Sequence, residues 1–433
     1  NSFCTLLVKT DLAMAGIATF AAAAVLLLCA SLVAADSQHF APRHRGGRVY
    51  RDAVAADKAF HASINYIPNA TAAYVAMPVD HQDASLGTFP DKFYYDTSVW
   101  DAANGPCMFY LNGEGPLDRS VGGYMAQIAQ NLSACTVSIE HRWYGESLPA
   151  PLTDKALLTK TLTVDQAMQD VAFLMNYFET TIAKRSLEWV LVGGSYSGGM
   201  TVWLNEKYPG KFKASWSASG VVRSTFAYTD YDGHVKKVAP RDCGDALKYI
   251  VEAAGEWFDD ATLRPELQSM FNLDATQTKT DVMWAFADVG ASSVQYGMKT
   301  TMCNMILPLD VANPRQALQK FAAMMTELWG PNFMNSCYYN TKCLANSADS
   351  AKWGPAGYSW IWECCNEMAW WQIGYPGSIR NPNVTVSYFI DQCRGAFYNT
   401  TAPDTWAFNA RHHGLHPQTQ GYIVATQGSD DPW

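Results

Sequence analysis

The stretch of sequence that decides the fold is residues 187–200, which read LEWVLVGGSYSGGM. Its first six residues form a short apolar run rich in β-branched and aromatic side chains, a composition typical of a buried central strand. Two glycines follow, and residues 201–208 then show a spacing that suits a helix ended by Pro209 and Gly210. The pattern predicts a strand, a tight turn at Ser195 and a helix.

The turn resembles the G-x-S-x-G elbow of α/β-hydrolases, in which a serine stands exposed between a strand and a helix. Gly193 and Ser195 fit that pattern, whereas Ser197 stands where the elbow has its last glycine. Taken alone, the pentad fits a glycine-rich phosphate loop or an ordinary strand–helix turn equally well. We hypothesise that Ser195 is a nucleophile and that the backbone N–H of Tyr196 faces the developing oxyanion.

Length and composition restrict the class of protein. The 433 residues are 48% hydrophobic and carry a net charge of −9, without a basic cluster. A chain of this length predicts two domains, or one domain with a large insertion. The missing basic cluster argues against a nucleic-acid partner. The adjacent Cys364 and Cys365 lack the spaced partners of a zinc site, so we expect neither a metal nor a cofactor.

The N-terminal region predicts export. Residues 14–35 are uncharged, rich in Ala, Leu and Val, and end in small residues, as a cleaved signal peptide does. Residues 1–13 would then be upstream read-through. The alternative is an uncleaved membrane anchor, because the run is long enough to span a bilayer. We therefore expect the secretory pathway, with a lysosomal, vacuolar or extracellular destination, and membrane association only if the segment is not cleaved.

Cysteines and glycosylation motifs agree with export. Two of the 11 cysteines, Cys4 and Cys29, fall before residue 36, which leaves an odd number in the mature part. An exported chain with so many cysteines is expected to form disulfides. Candidate glycosylation sites are Asn69, Asn131, Asn383 and Asn399.

The order of predicted elements indicates an α/β sheet with an inserted helical cap. Strand and helix patterns alternate over residues 106–219, as a mainly parallel sheet requires. The apolar spacing then becomes mostly helical, and residues 421–426 return to strand character. We predict an α/β-hydrolase domain from residues 36–221 and 384–433, interrupted by a helical cap at 222–383.

A second glycine loop and three histidines are further candidates. Gly113 and Glu114 follow an apolar strand, so a backbone N–H of either residue is a candidate second oxyanion donor; the alternative is a plain tight turn. His141 stands between two charged residues at a strand end, which favours a structural role over catalysis. We expect His412 and His413 to be exposed loop residues.

Several ordered motifs extend the argument beyond the elbow: PVDH (78–81), GEGP (113–116), EHRWYGES (140–147), TVDQA (163–167), GGSYSG (193–198), WECCNE (362–367) and DPW (431–433). Together they resemble the serine carboxypeptidase family that includes lysosomal Pro-X carboxypeptidase, dipeptidyl-peptidase II and thymus-specific serine protease, with the thymus-specific branch most similar. The resemblance implies an α/β-hydrolase fold with a helical cap, peptide substrates and cleavage after proline.

Carried onto matching positions, the resemblance implies Ser195 as nucleophile and Asp431 as the acid of a catalytic triad. The histidine should follow the aspartate in this fold, yet none of the nine histidines lies after Asp431. Either the sequence is a fragment whose continuation past Trp433 supplies the histidine, or the protein is an inactive relative. We expect that the sequence is a fragment.

The same resemblance implies the remaining site residues. Trp370 and Trp433 are candidate walls of a proline pocket, because a flat aromatic face suits a pyrrolidine ring; the alternative is that they are ordinary core residues. Glu367 is a further candidate for substrate binding. Cys365 should pair with Cys393, with Cys364 as the alternative partner. A homodimer is compatible with the sequence. Two other functions stay open: a lipase or esterase of the same fold, and an inactive binding protein.

Overall fold

The computed structural model describes residues 69–240, 242–346, 355–397 and 402–433. The predicted signal segment, residues 1–13 and the glycosylation motif at Asn399 lie outside these ranges. Within them, no helix combines the length and apolar character needed to cross a membrane. Asn69, Asn131 and Asn383 are exposed, and their glycosylation remains a prediction.

The centre of the molecule is a seven-stranded sheet with the strand order β1-β2-β4-β3-β5-β6-β7. Strands β1 and β2 form an antiparallel hairpin, β2 runs antiparallel to β4, and all other pairs are parallel. The strands are β1 (Thr71–Pro78), β2 (Thr88–Asp96), β3 (Cys107–Leu111), β4 (Cys135–Ile139), β5 (Trp189–Gly194), β6 (Phe212–Ala218) and β7 (Tyr422–Thr426). The predicted α/β-hydrolase sheet with a helical insertion is confirmed.

Helices flank the sheet and fill the long connection between β6 and β7. Before β6 lie α1 (Gly123–Asn131), α2 (Lys155–Thr161), α3 (Val164–Tyr177) and α4 (Ser195–Lys207). After β6 come α5 (Asp230–Val238), α6 (Cys243–Asp259), α7 (Arg264–Phe271), α8 (Lys279–Gln295), α9 (Lys299–Ile306), α10 (Pro314–Leu328), α11 (Thr341–Ala345), α12 (Pro355–Glu363), α13 (Val386–Phe397) and α14 (Thr405–Arg411). Short 3-10 turns cover Ala84–Leu86 and Cys337–Tyr339, and π-helical turns cover Phe178–Ala183 and Cys364–Met368.

Strand β5 is buried on both faces, which explains its continuous apolar run. Trp189 and Leu191 point to one face and join the main core with Phe109. Val192 points to the other face and packs with Trp216. The strand continues through the two glycines that the sequence analysis assigned to the turn, because β3 and β6 pair with it along this length.

Four disulfides stabilise the described part of the chain: Cys107–Cys135, Cys243–Cys303, Cys337–Cys343 and Cys365–Cys393. The last is the bond that the resemblance implied, and Cys364 is a buried free thiol. Disulfides persist in oxidising compartments, which agrees with the secretory pathway. The helices of the insertion continue to Arg411, past residue 383, and the proposed domain boundaries remain predictions.

Candidate active site

The turn after β5 has the strained geometry of a nucleophile elbow. Ser195 adopts a φ of 55°, a left-handed conformation that non-glycine residues rarely adopt. A Cβ added to Gly193 would lie 2.3 Å from the carbonyl oxygen of Ser197, and one added to Gly199 would lie 2.4 Å from that of Val221. No side chain fits at either glycine. The small residues therefore allow the strand, the helix and the chain after β6 to approach closely enough to hold Ser195.

The departure at Ser197 is accommodated by the second glycine loop. Gly113 has a φ of 80°, and a Cβ placed on it would lie 2.6 Å from Ser197 Oγ. The loop therefore leaves room for the hydroxyl that stands where the elbow has its last glycine. This contact also places the Gly113 loop against the first turn of α4. The first four N–H groups of a helix have no partner within it, and the N–H of Tyr196 is one of these.

Asp431 belongs to the loop that follows β7, at the same edge of the sheet as Ser195. The intervening chain after β6 joins the two: Ser219 N–H donates to Thr426 O at 2.6 Å, and Val221 N–H donates to Ser195 O at 3.2 Å. Burial raises the pKa of the Asp431 carboxyl, which also accepts a hydrogen bond from the N–H of Trp433 at 3.0 Å. With β6 between them, β5 and β7 are two strand spacings, about 10 Å, apart.

A cavity of about 90 Å³ opens beside Ser195 and Tyr196. Its aromatic lining includes six tryptophans: Trp284, Trp329, Trp360, Trp370, Trp371 and Trp433. The two predicted pocket walls meet here, since the rings of Trp370 and Trp433 are 6.0 Å apart in an edge-to-face arrangement. None of the described residues that line the cavity is a histidine. The histidine expected after Trp433 stays a prediction.

Glu367 is not brought to this cavity. Its carboxylate accepts a hydrogen bond from the N–H of Val164 at 2.6 Å, at the beginning of α3, and burial raises its pKa to about 7. An acid at a helix N-terminus satisfies a free N–H and complements the helix dipole. The structure gives Glu367 this local role; it does not place it with Trp370 and Trp433. Gly113, Glu114 and Asp431 are also not among the residues that line the cavity.

A buried hydrogen-bonded cluster begins at Tyr196, the residue after Ser195. The hydroxyl of Tyr196 is 2.9 Å from Glu363 Oε1 and 3.1 Å from His141 Nε2. Tyr144 donates to the other oxygen of Glu363. Burial raises the pKa of Glu363 to about 8 and lowers that of His141 to about 4, so both groups are predominantly neutral at pH 7. His141 therefore has the structural role expected of it, with Nδ1 bound to the carbonyl of Arg142 at 2.8 Å.

Glu363 was not predicted from the sequence as a residue of the site. The signal that could have found it is a single carboxylate directly after the aromatic run of residues 358–362, on a helix where apolar residues are otherwise buried. Buried carboxylates need partners, so an acid in such a run predicts a polar cluster.

The expectation for His412 was wrong. This residue is 5% exposed, and its ring packs 5.2 Å from Trp203 of the elbow helix and 4.6 Å from Phe408. Burial lowers its pKa to about 4. The physical reason is its position directly after α14, where the ring fills the space between that helix and α4. His413 is more exposed and lies 3.1 Å from Glu206.

The buried carboxyls predict how stability depends on pH. Glu363 and Glu367 have folded pKa values of about 8 and about 7, against 4.5 for an unperturbed Glu, so the folded state holds protons that the unfolded chain has released. The two buried histidines act in the opposite sense, but only between about 4 and 6.5. The free energy of unfolding should therefore fall as pH rises above about 6.5, by up to ~1.4 kcal/mol per pH unit for each carboxyl, until about pH 7 for Glu367 and about pH 8 for Glu363.

Urea denaturation at several pH values measures this dependence. Glu363→Gln should flatten the slope, while Glu256→Gln, at an exposed carboxylate of α6, should leave it unchanged. A rise in stability between pH 6.5 and 8, or an equal slope in both variants, would contradict the account.

Known proteins agree with this geometry. Residues 77–433 match the family described as Serine carboxypeptidase S28. The Arabidopsis thaliana protein named "Probable serine protease EDA2" is 26% identical over 374 residues, which cover 82% of this chain and 72% of that protein. Lysosomal Pro-X carboxypeptidase of Bos taurus is 24% identical, over 83% of this chain and 77% of its own, and thymus-specific serine protease of Homo sapiens is 22% identical, over 80% and 73%.

Solved structures match a smaller part of this chain. An acylaminoacyl peptidase of Pyrococcus horikoshii covers 40% of this chain and 26% of its own at 16% identity, with a TM-score of 0.28, which is too low to support an argument. The family match, in contrast, spans the sheet, the elbow and the helical insertion. This chain belongs to the serine carboxypeptidase S28 family and is a serine-type peptidase.

Proposed function

We propose that this protein is an exported serine exopeptidase that cleaves peptide bonds after proline through an acyl-enzyme on Ser195. The observation that carries the proposal is the position of Ser195, at a strained elbow that opens on a cavity walled by Trp370 and Trp433. The similarity to Pro-X carboxypeptidase supports proline as the residue before the cleaved bond. A lysosomal or extracellular destination fits the names of its relatives.

The proposed reaction follows the chemistry of serine peptidases. Ser195 Oγ attacks the carbonyl carbon of the scissile bond while a histidine oriented by Asp431 takes the hydroxyl proton. The oxyanion that forms accepts hydrogen bonds from the N–H of Tyr196 and from a backbone N–H of the Gly113 loop. The histidine then donates its proton to the leaving amine, and water hydrolyses the acyl-enzyme. No cofactor is needed for these steps.

Proline preference would come from shape, because the pyrrolidine ring has no charge to pair. The indole N–H groups of both walls are already bound within the protein: Trp370 donates to Arg223 O at 2.7 Å and Trp433 donates to Gln295 Oε1 at 3.2 Å. These bonds fix the rings and leave their apolar surfaces for packing. A compact ring packed against the surface of these two fixed indoles gains contact that a methyl side chain cannot make.

The specificity test compares two peptides that differ only in Pro or Ala before the cleaved bond. The complete enzyme should show a kcat/KM ratio in favour of Pro of roughly 10- to 200-fold, the range that pocket filling can supply. Trp433→Ala should lower this ratio by about tenfold, because one wall is removed. Trp406→Ala is the matched control, since Trp406 is 79% exposed on α14. Equal cleavage of both peptides, or an unchanged ratio in Trp433→Ala, would show that the pocket does not select proline.

A further inference from the structure

Two buried hydrogen-bond donors in the catalytic cavity have no protein partner. Trp284 and Gln392 both line the cavity that contains Ser195, and these residues are 3% and 2% exposed, with Trp284 Nε1 and Gln392 Nε2 buried. Neither nitrogen has an acceptor among the described residues. Buried donors are nearly always paired, so an unpaired donor in a cavity indicates an acceptor supplied from outside the protein.

Other tryptophans of the same cavity show the contrast. Trp329 donates to Ser293 Oγ at 2.9 Å, and Trp370 and Trp433 donate to the acceptors already described. Their indoles are therefore complete within the fold. Trp284 differs from them although its ring is as deeply buried, packing 5.3 Å from the ring of Phe389. Gln392 lies three residues after Phe389 and therefore on the same face of α13, and both residues line the cavity.

The position of Trp284 follows from α8. Trp284, Asp288, Ser292 and Gln295 line the cavity from one face of this helix. Gln295 accepts the hydrogen bond from Trp433, so the C-terminal end of α8 lies at the proposed proline pocket. Trp284 is eleven residues earlier, about 16 Å along the helix axis. An extended peptide covers that distance with four or five residues, at about 3.4 Å for each.

The face of α8 between Trp284 and Gln295 carries no unpaired carboxylate. Asp288 is the carboxylate on it, and its oxygens are bound by Arg380 Nη2 at 2.8 Å and by the hydroxyl of Tyr339 at 3.1 Å. A free peptide N-terminus would need an unpaired acid here. A carbonyl oxygen instead needs N–H donors, and Trp284 and Gln392 present only such groups at their free nitrogens.

We propose that Trp284 Nε1 and Gln392 Nε2 form a subsite for a backbone carbonyl oxygen of the peptide, several residues before the cleaved bond. The proposal rests on the proposed function, because it takes Ser195 as the point of cleavage. It deepens that function by assigning the part of the cavity lined by Trp284 and Gln392 to the acyl side of the substrate. The substrate class is then a peptide with an extended segment before the cleaved residue, as a carboxypeptidase takes.

A ladder of substrates tests this subsite. N-acetylated peptides of the form acetyl-(Ala)n-Pro-Phe, with n from zero to five, are cleaved by the complete enzyme and compared by kcat/KM. One step of the ladder should raise kcat/KM by about tenfold, when the added carbonyl reaches the two donors. The gain should disappear in Trp284→Phe and in Gln392→Leu. Trp329→Phe, which changes a tryptophan whose N–H is already bound, should retain it.

An atomic replacement separates the hydrogen bond from packing. Replacing the amide at the critical step by an alkene isostere should remove the tenfold gain in the unaltered enzyme and cause no further loss in Trp284→Phe. Should Trp284→Phe fail to fold, Gln392→Leu carries the same comparison. A ladder without any step, a step that persists in both variants, or a gain found only when the peptide is lengthened after the cleaved bond would overturn the proposal.

Failure of the subsite is distinguishable from failure of the proposed function. If Pro and Ala are cleaved alike, the proline pocket is wrong, and the same ladder built on Ala-Phe still tests Trp284 and Gln392. If proline is preferred but no step occurs, the pocket stands and the subsite falls.

Discussion

Ser195→Ala is expected to lower kcat/KM of the complete enzyme by about 10³- to 10⁶-fold, the range typical for loss of a serine nucleophile. The reason is that no other hydroxyl occupies the strained position between strand and helix. Ser195 has a φ of 55° and lines the catalytic cavity, whereas the hydroxyl of Ser197 is buried and faces Gly113. The variant should fold normally, because alanine is smaller than serine and can occupy the same turn.

A fluorophosphonate probe measures the same assignment directly. Digestion of the labelled protein should place the adduct on Ser195, and Ser195→Ala should take up no label. Ser197→Ala is the matched control two residues away, and it should still be labelled at Ser195. An adduct on Ser197, or no adduct in folded complete protein, would remove Ser195 from the proposed mechanism.

Asp170→Ala is expected to cost about 3 to 5 kcal/mol of unfolding free energy, because it leaves a buried charge without its partner. Arg142 is fully buried, and its Nε and Nη2 donate to the two oxygens of Asp170 at 2.6 and 2.5 Å. Its Nη1 donates to the carbonyl oxygens of Val79 and Thr161. The aspartate on α3 thereby fixes the segment after β4, which also contains Tyr144, to the rest of the sheet domain.

Denaturant unfolding compares this change with a matched surface pair. Glu188 and Lys213 are 2.9 Å apart but more than 60% exposed, so Glu188→Ala should change stability by less than about 1 kcal/mol. Asp170→Ala should also reduce peptidase activity. Arg142 directly follows His141, and His141 contacts Tyr196, the residue next to Ser195. Equal, small losses of stability in both variants would contradict this account of the Arg142–Asp170 pair.

Local patterns in the sequence were sufficient for the framework of the site. The apolar run of 187–192 predicted β5, because a strand buried on both faces must be apolar at successive residues. The glycines around Ser195 predicted the elbow, because close approach of backbone segments excludes side chains whatever the rest of the fold does.

The sequence predicted Trp370 and Trp433 as walls of one pocket, and the structure brings both to one cavity. Glu367 was predicted with them for substrate binding, but it does not line that cavity. It belongs to the π-helical turn Cys364–Met368, and only the packing of this turn against α3 decided that its carboxylate accepts a hydrogen bond from the N–H of Val164.

By itself, therefore, the sequence determined the sheet and the elbow and made Ser195 the candidate nucleophile, because these depend on residue size and apolar periodicity over a few neighbouring positions. The tertiary structure alone decided which polar groups are paired. Tyr144 and Glu363 are 219 residues apart and share one hydrogen bond, while Trp284 Nε1 and Gln392 Nε2 have no acceptor in the part of the chain that the structure describes. The physical reason is that burial and hydrogen bonding depend on contacts between distant segments, and no local periodicity specifies those contacts.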